Sequence, residues 1–306
     1  MQVLRKLTTA VRDPRAAART AATRALGACL LTLWPAARIE RVLATWHLPE
    51  RRTGFERLAF PALFERWIAT RYLAEPDPDR REALKDICMA GESGVSWAEH
   101  YEETPIRREG KVGDLAFDAA CPWFDGLEAA LAAAPPNALT VQIGCSSGRE
   151  MAHYAQRFPA LSFLGTDIDP AIVARAARVH RLPNLRFEVA RAHALMARIP
   201  EVPPLILYSN GALQYVQPEH VAAMFQAFAR RGRLRTIFGE TWRPDGRPLG
   251  AHSRWRGNFA WSHDYRDYAE EAGLAVREAR AIPLRLGTGA AADAAVRHYY
   301  LAAEAG

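Results

Sequence analysis

The feature that most constrains the fold is an alternation of short apolar runs with helix-like segments that begins at Leu139. The first apolar run, residues 139–143, ends in the turn Gly144-Cys-Ser-Ser-Gly148, and the second, residues 162–166, ends in Asp167-Ile-Asp169. Helix-spaced apolar positions follow each run. Because this alternation is typical of βαβ units, the sequence predicts an α/β fold from this point onward.

Five more apolar runs complete the predicted sheet, and the last two have no full helix between them. These runs cover residues 185–189, 205–208, 234–238, 274–282 and 296–302. Strands joined without a crossover helix can pair antiparallel. We therefore expect a seven-stranded, mostly parallel sheet with an antiparallel last strand. The predicted helices cover residues 149–158, 170–179, a segment from Val221, and 262–272, where Gly273 is the expected C-cap.

The N-terminal part of the chain differs in pattern and in charge. Residues 1–134 have apolar positions at helical spacing and few β-branched runs, and Pro135-Pro136-Asn137 closes the region. We predict a helical N-terminal region over 1–134 and a second domain over 135–306. Residues 1–60 hold eleven Arg and Lys against four Asp and Glu, a charge of +7 in a chain whose total is +6. This basic start suggests an anionic partner, although the pattern favours a solvated arginine face on a helical domain.

The four cysteines and the apolar content exclude several classes of protein. Cys29, Cys88, Cys121 and Cys145 form no C-x-x-C pair, so neither a metal site nor a disulfide framework is predicted, and a reducing cytoplasm is expected. The longest early apolar stretch, residues 27–35, is shorter than the roughly 20 residues of a membrane span. Peripheral contact remains open, since Val3, Leu4, Leu7 and Val11, followed by Leu30, Leu31, Leu33 and Trp34, can form an apolar helix face at a lipid interface.

The turn 144–148 admits more than one interpretation by itself. It fails the dinucleotide pattern G-x-G-x-x-G, because Ser146 and Arg149 stand where glycines are required. It satisfies the hydrolase pattern G-x-S-x-G, with Ser146 as the nucleophile. That interpretation leaves Asp167 unexplained and finds no HGGG-like segment before the strand.

The turn 144–148 and the acid Asp167 together resemble the class I S-adenosylmethionine-dependent methyltransferase family. The resemblance rests on Thr140-Val-Gln-Ile-Gly-Cys-Ser-Ser-Gly148, on Phe163-Leu-Gly-Thr-Asp-Ile-Asp-Pro170 and on Leu207-Tyr-Ser-Asn-Gly-Ala-Leu-Gln-Tyr215. It covers about residues 138–303 and implies a Rossmann-like fold that binds S-adenosyl-L-methionine. In that family the glycine-rich turn faces the methionine part of the cofactor, and the acid after the second strand binds the ribose.

Carried over by position, the resemblance assigns the turn to Gly144, Ser146 and Gly148, ribose binding to Asp167 and adenine packing to Ile168. Gln142 stands where the family commonly has an acid, and Arg191 where an adenine-binding aspartate is often found. The full predicted cofactor set is Gln142, Gly144, Cys145, Ser146, Gly148, Asp167, Ile168, Arg191, Ser209 and Asn210.

Catalytic groups are less constrained, because methyl transfer from a sulfonium needs a base only when the acceptor must lose a proton. The candidates near the expected cofactor mouth are Tyr215, Glu240, predicted to follow the fifth strand, and His263, predicted in the first turn of a helix. The aromatic segment 242–261 is predicted to cover the acceptor, and Trp97, His100 and Tyr101 to close over the cofactor from the other side.

The sequence therefore predicts a cytoplasmic methyltransferase acting on a small molecule or a saccharide. Nothing resembles a nucleic-acid-binding module, so no nucleic-acid partner is expected. Two alternatives remain open: a serine hydrolase that uses Ser146, and a non-catalytic protein that keeps the methyltransferase fold as a binding module. The acceptor and the oligomeric state are not predicted.

Overall fold

The structure is a computed structural model that describes residues 14–45, 48–89, 122–200, 204–242, 247–248, 252–283 and 297–305. Its contacts divide the chain into two compact units, Met1–Ser96 and Trp97–Gly306. The predicted roles of Trp97, His100 and Tyr101, and of the apolar positions before residue 14, fall outside the described residues.

The first unit is helical, as the sequence predicted for this part of the chain. It contains α1 (Pro14–Leu33), α2 (Ala36–Leu43), α3 (Gly54–Trp67) and α4 (Pro78–Met89). Helix α3 begins at a capping box, in which the Thr53 hydroxyl accepts the Glu56 N–H at 3.3 Å and the Glu56 carboxylate accepts the Thr53 N–H at 3.1 Å. These bonds satisfy two backbone donors that a helix start leaves open. No helix in the described ranges has the length and apolar content that a membrane crossing requires.

The second unit contains a seven-stranded sheet in the order β3-β2-β1-β4-β5-β10-β9. Its strands are β1 (Leu139–Ile143), β2 (Ser162–Asp167), β3 (Leu185–Val189), β4 (Leu205–Asn210), β5 (Leu234–Trp242), β9 (Ala275–Pro283) and β10 (Arg297–Ala305). Strands β1 to β5 pair in parallel, and β10 lies antiparallel between β5 and β9. The predicted fold class is confirmed, including its antiparallel last strand.

Helices cover both faces of this sheet, which explains why its central strands β1 and β4 are buried over nearly their whole length. The helices are α5 (Pro122–Ala132), α6 (Arg149–Arg157), α7 (Pro170–Val179), α8 (Pro218–Arg231) and α9 (Tyr265–Glu271). One core contains Leu205 and Leu207 with Phe225, and the other contains Ile206 and Tyr208 with residues of α5 and α6. Because successive side chains of a strand point to opposite faces, β4 contributes to both cores.

The structure corrects the predicted connection after β5. Residues predicted as an irregular segment form a three-stranded antiparallel sheet, β6 (Arg247–Pro248), β7 (Ser253–Gly257) and β8 (Ala260–His263). The helix predicted from Ser262 begins at Tyr265, because residues 260–263 pair with β7 instead. Strand β5 also extends past Phe238 to Trp242 along β10, so Glu240 lies within the strand and opposite Tyr299 rather than after it. Ala272 is the C-cap of α9, so the predicted C-cap Gly273 is the residue that follows the cap, where its positive φ of 84° is typical of a helix end.

The predicted domain boundary after residue 134 differs from the observed division after Ser96. Helix α5, placed by prediction in the N-terminal region, contacts β5 and β10 of the sheet. Its Trp123, Phe124 and Leu127 are buried in the same core as Ile206 and Tyr208. The assignment of residues 1–134 and 135–306 to two separate domains stays a prediction.

Candidate functional site

The site lies where the sheet order reverses direction, between β1 and the neighbouring strand β4. The chain runs from β1 outward to β2 and β3, and then returns to start β4 on the other side of β1. Loops that leave the carboxyl ends of two such strands diverge and leave a crevice, which is where open α/β sheets bind ligands. Every residue of the predicted cofactor set lies near the carboxyl end of β1, β2, β3 or β4.

The turn after β1 has the backbone that its glycines predict. Gly144, Ser146 and Gly148 have φ values of 71°, 47° and 79°. A Cβ on Gly144 would overlap the Cβ of Ala212, and one on Gly148 would meet the ring of Phe187 at 2.6 Å. Ser146, which has a Cβ, also has a left-handed backbone, and an L-residue adopts this conformation only at a cost in free energy.

Asp167 connects the turn to the end of β2. One carboxylate oxygen accepts the Ser146 N–H at 3.1 Å, and the other accepts the Asp169 N–H at 3.2 Å. Burial raises the pKa of Asp167, while these backbone bonds oppose that shift by favouring the charged form. The nearby Asp169 is the N-cap of α7 and accepts the Ala171 N–H at 2.8 Å, as predicted. Ile168, between the two acids, is half-buried.

A buried carboxylate that the sequence did not single out lies beneath the turn. Glu150, in the first turn of α6, accepts Gln142 Nε2 at 2.9 Å and the Tyr208 hydroxyl at 2.5 Å. Asn210 also bonds to it, and burial raises the pKa of Glu150 to about 7 despite these donors. Gln142 stands where the family commonly has an acid, and here the carboxylate of Glu150 lies beside it. Glu150 could have been found from the sequence, because it is an acid in the first turn of a helix that follows a glycine-rich turn.

Two buried polar atoms at this position have no hydrogen-bond partner among the described residues. They are the Ser146 hydroxyl and Gln142 Oε1. Buried polar groups are nearly always paired in folded proteins, so such atoms at a crevice are suited to a polar ligand. No histidine among the described residues bonds to the Ser146 hydroxyl.

Glu240 and Ser209 support the loop after β4. The Glu240 carboxylate accepts the Ser209 hydroxyl at 2.6 Å and the Gln214 N–H at 3.3 Å. The backbones of Ala212 and Leu213 also bond to it, and burial raises the pKa of Glu240 to about 7. Since its oxygens are occupied by four donors, the geometry favours a structural role over the predicted catalytic one.

His263 supports the same loop from β8. The side chain is fully buried, which contradicts its predicted place at the head of a helix. Nε2 lies 3.0 Å from the Val216 carbonyl oxygen and Nδ1 lies 2.7 Å from the Ser253 hydroxyl. The carbonyl can only accept, so Nε2 carries the proton and Nδ1 accepts from Ser253. Both nitrogens of the neutral ring are therefore engaged.

The burial of His263 predicts a loss of stability in mild acid. Burial lowers the pKa of His263 to about 3, whereas an unfolded histidine titrates near 6.5. The unfolded chain therefore takes up a proton that the folded chain excludes, so stability is lost as pH falls below about 6.5. Between pH 7 and pH 5 this histidine should cost about 2 kcal/mol, at roughly 1.36 kcal/mol per pH unit.

Urea unfolding of the wild type and of His263→Gln at both pH values measures this cost. The raised pKa values of Glu150 and Glu240 act in the opposite direction in both proteins, so they cancel in the comparison. We expect the wild type to lose about 2 kcal/mol more than the variant. An equal change in both proteins would show that His263 does not titrate as its burial requires.

Tyr215 is the one predicted catalytic residue that stays partly exposed, on the loop that Glu240 and His263 support. Arg256, on β7, donates a hydrogen bond to Oε1 of Gln214, the residue before Tyr215. Burial raises the pKa of Tyr215, and the charge of Arg256 acts against that rise. Arg256 was not predicted as a site residue from the sequence, because it lies near this loop only when β7 pairs with β8.

The remaining predicted cofactor residues, Cys145 and Arg191, follow the carboxyl ends of β1 and β3. Cys145 is buried, and burial raises the pKa of its thiol. Arg191 is half-buried and precedes the short helix Ala192–Ala197 that follows β3. Roles in cofactor binding stay predictions for these residues as for the rest of the set.

Comparison with known proteins finds similarity in this part of the chain. Residues 141–233 match a family described as a methyltransferase domain. A trans-aconitate 2-methyltransferase of Deinococcus radiodurans is 41% identical over 85 residues, which are 28% of this chain and 30% of that protein. The enzyme of the same name from Variovorax paradoxus is 39% identical over 103 residues, 33% of this chain and 38% of that protein. The chain thus spans about a third of the length of these curated relatives.

Solved structures add a weaker similarity. Phosphoethanolamine N-methyltransferase 2 from Haemonchus contortus, solved with S-adenosyl-L-methionine, is 14% identical, with a TM-score of 0.49 over 72% of this chain and 60% of that one.

Proposed function

We propose that this protein, whose residues 141–233 match a family described as a methyltransferase domain, binds S-adenosyl-L-methionine and transfers its methyl group to a small anionic molecule. The observation that carries the proposal is the junction of Asp167 with the turn at Ser146, since it brings a carboxylate and a glycine-rich backbone to the same crevice.

The residues of this crevice fit the cofactor. Gly144 and Gly148 let the turn pack closely against Ala212 and Phe187, and Ser146 and Gln142 each present a buried polar atom with no partner among the described residues. In the proposed arrangement the turn faces the methionine part, Asp167 accepts hydrogen bonds from the ribose hydroxyls and Ile168 packs on the adenine. When bound, the cofactor supplies a methyl group on a positively charged sulfur.

The contribution of the chain is then mainly positioning. Glu150 holds the amide of Asn210 at the end of β4, and Glu240 and His263 fix the loop that carries Gln214 and Tyr215. A fixed loop orients the acceptor and excludes water, which can supply several kcal/mol of the barrier reduction. A carboxylate acceptor is already a nucleophile, so no general base is needed.

Arg256 supports an anionic acceptor. Its guanidinium lies beside Gln214 and Tyr215, at the carboxyl end of the strands. Arginine binds carboxylates through directed, charge-assisted hydrogen bonds. Trans-aconitate, the acceptor named for the two curated relatives, carries carboxylates that complement this charge. A neutral saccharide would lack that interaction.

Methyl transfer from labelled S-adenosyl-L-methionine tests the proposal, with trans-aconitate and a neutral monosaccharide as acceptors. We expect label on trans-aconitate, and in Arg256→Gln a KM for trans-aconitate raised about 10-fold or more, since a charged hydrogen bond contributes roughly 1.5–3 kcal/mol. Affinity for S-adenosylhomocysteine should change less than about 2-fold.

Arg254→Gln is the matched control, because Arg254 is exposed on the same strand. Its KM should stay close to that of the wild type. Binding of S-adenosylhomocysteine without transfer to either acceptor would contradict the proposed reaction and favour the non-catalytic alternative. Methylation of the saccharide alone would overturn the anionic acceptor.

A further inference from the structure

The helical unit exposes large apolar side chains close together. Leu33 at the end of α1 is 77% exposed, and Leu58 and Phe55 at the start of α3 are 81% and 55% exposed. In the described part of the second unit, only Val179 and Val189 are large apolar side chains exposed to a comparable degree. Single exposed apolar residues are ordinary, whereas a cluster of them marks an interaction surface.

These side chains lie at one end of a pair of packed helices. A Cβ on Gly27 of α1 would overlap the Ala62 carbonyl oxygen of α3, so the two backbones meet there. Seven residues after Gly27 and just past the end of α1, Trp34 lies with its ring centroid 6.2 Å from that of Phe55, which is seven residues before Ala62 on α3. The helices are therefore antiparallel, with Trp34 against Phe55. Leu33 precedes Trp34 in the chain, and Leu58 follows Phe55 by one helical turn. We call these four side chains the apolar patch.

Arginines surround the apolar patch. The guanidinium carbon of Arg38 lies 4.0 Å from the centre of the Trp34 ring, and Arg57 is exposed next to Leu58. Glu56, the acid nearest the patch in sequence, is buried and pairs with Arg41 at 2.6 Å and with Arg38 at 3.7 Å, so it offsets one of these two positive charges. Across residues 21–60, the exposed charges of the described part are Arg24, Arg38, Arg41, Arg51 and Arg57 against Glu40 and Glu50.

We propose that the apolar patch and its arginines form a docking surface for an anionic membrane. The apolar side chains would enter the headgroup region while the arginines contact lipid phosphates, the arrangement by which amphipathic helices lie on a bilayer. A second copy of this chain is a poorer occupant, because a symmetric contact through the patch would oppose arginines to arginines. The inference does not depend on the proposed function.

Co-sedimentation of the full chain with vesicles tests this docking surface. Vesicles contain either phosphatidylcholine alone or phosphatidylcholine with phosphatidylglycerol. We expect binding to the anionic vesicles that weakens as salt is added, and at least about 10-fold weaker binding to phosphatidylcholine alone, since the electrostatic part is lost. Leu33→Ser with Leu58→Ser should weaken binding to anionic vesicles about 10-fold or more through lost apolar burial.

Val179→Ser with Val189→Ser is the matched control, because it removes two exposed apolar side chains outside the patch. This variant should bind vesicles as the wild type does, and circular dichroism shows whether all variants fold. Failure of the wild type to bind anionic vesicles at low salt would overturn the proposal, as would equal binding by the patch variant. A patch-dependent dimer in sedimentation, without vesicle binding, would assign the surface to a second copy.

Discussion

Asp167→Ala should weaken binding of S-adenosylhomocysteine about 10- to 100-fold, the range expected when charge-assisted hydrogen bonds of about 1.5–3 kcal/mol are lost. Asp167 is the acid at the end of β2, and its carboxylate also accepts the Ser146 N–H, so its removal affects both the ribose contact and the turn. Isothermal titration calorimetry of wild type and variant with S-adenosylhomocysteine measures the effect.

Asp169→Ala is the control for this experiment, because Asp169 is an acid two residues away whose side chain caps α7. Loss of a helix N-cap should cost about 1 kcal/mol of stability. It should leave affinity for S-adenosylhomocysteine within about 2-fold of the wild type. Unchanged affinity in Asp167→Ala would refute the ribose contact, and equal losses in both variants would attribute the effect to general destabilisation.

Gly148→Ala should lower the free energy of unfolding by about 2–5 kcal/mol. Left-handed backbone costs an alanine roughly 1–2 kcal/mol, and overpacking adds about 1–3 kcal/mol. Both costs apply here, because φ is 79° and the added Cβ would meet the Phe187 ring at 2.6 Å. Chemical denaturation of the purified variant measures the loss.

Gly273→Ala separates the two costs. Gly273 has a similar φ of 84°, but no atom lies within 4 Å of the position a Cβ would take. This variant should lose only the backbone part, about 1 kcal/mol. If both variants lost the same stability, the close packing of Phe187 against the turn would be contradicted.

Much of the sheet was predictable because its central strands are short, apolar and bounded by turns. The bounds of β1 and β3 match the predicted ones, because each strand has apolar residues at alternate positions and ends at a turn. The position of Asp167 followed from the end of β2. Glycine at 144 and 148 predicted the positive φ values, because a left-handed backbone is read directly from residue type.

Features that depend on distant pairing were not predictable in the same way. Glu240 was placed after β5 because the local apolar run ends at Phe238, whereas pairing with β10 extends the strand to Trp242. His263 was placed on a helix because its neighbours are polar, yet β7 pairs with its segment and buries it. The bond from Gln142 to Glu150 requires strand and helix to be packed, so residue spacing alone does not reveal it.

Titration of the wild-type protein with S-adenosylhomocysteine, beside NAD, tests the central claim most directly. The crevice between β1 and β4, with Asp167 bonded to the turn at Ser146, predicts saturable binding of one S-adenosylhomocysteine per chain and none of NAD. Absence of S-adenosylhomocysteine binding by folded protein, or preferential binding of NAD, would contradict the assignment of this crevice to S-adenosyl-L-methionine.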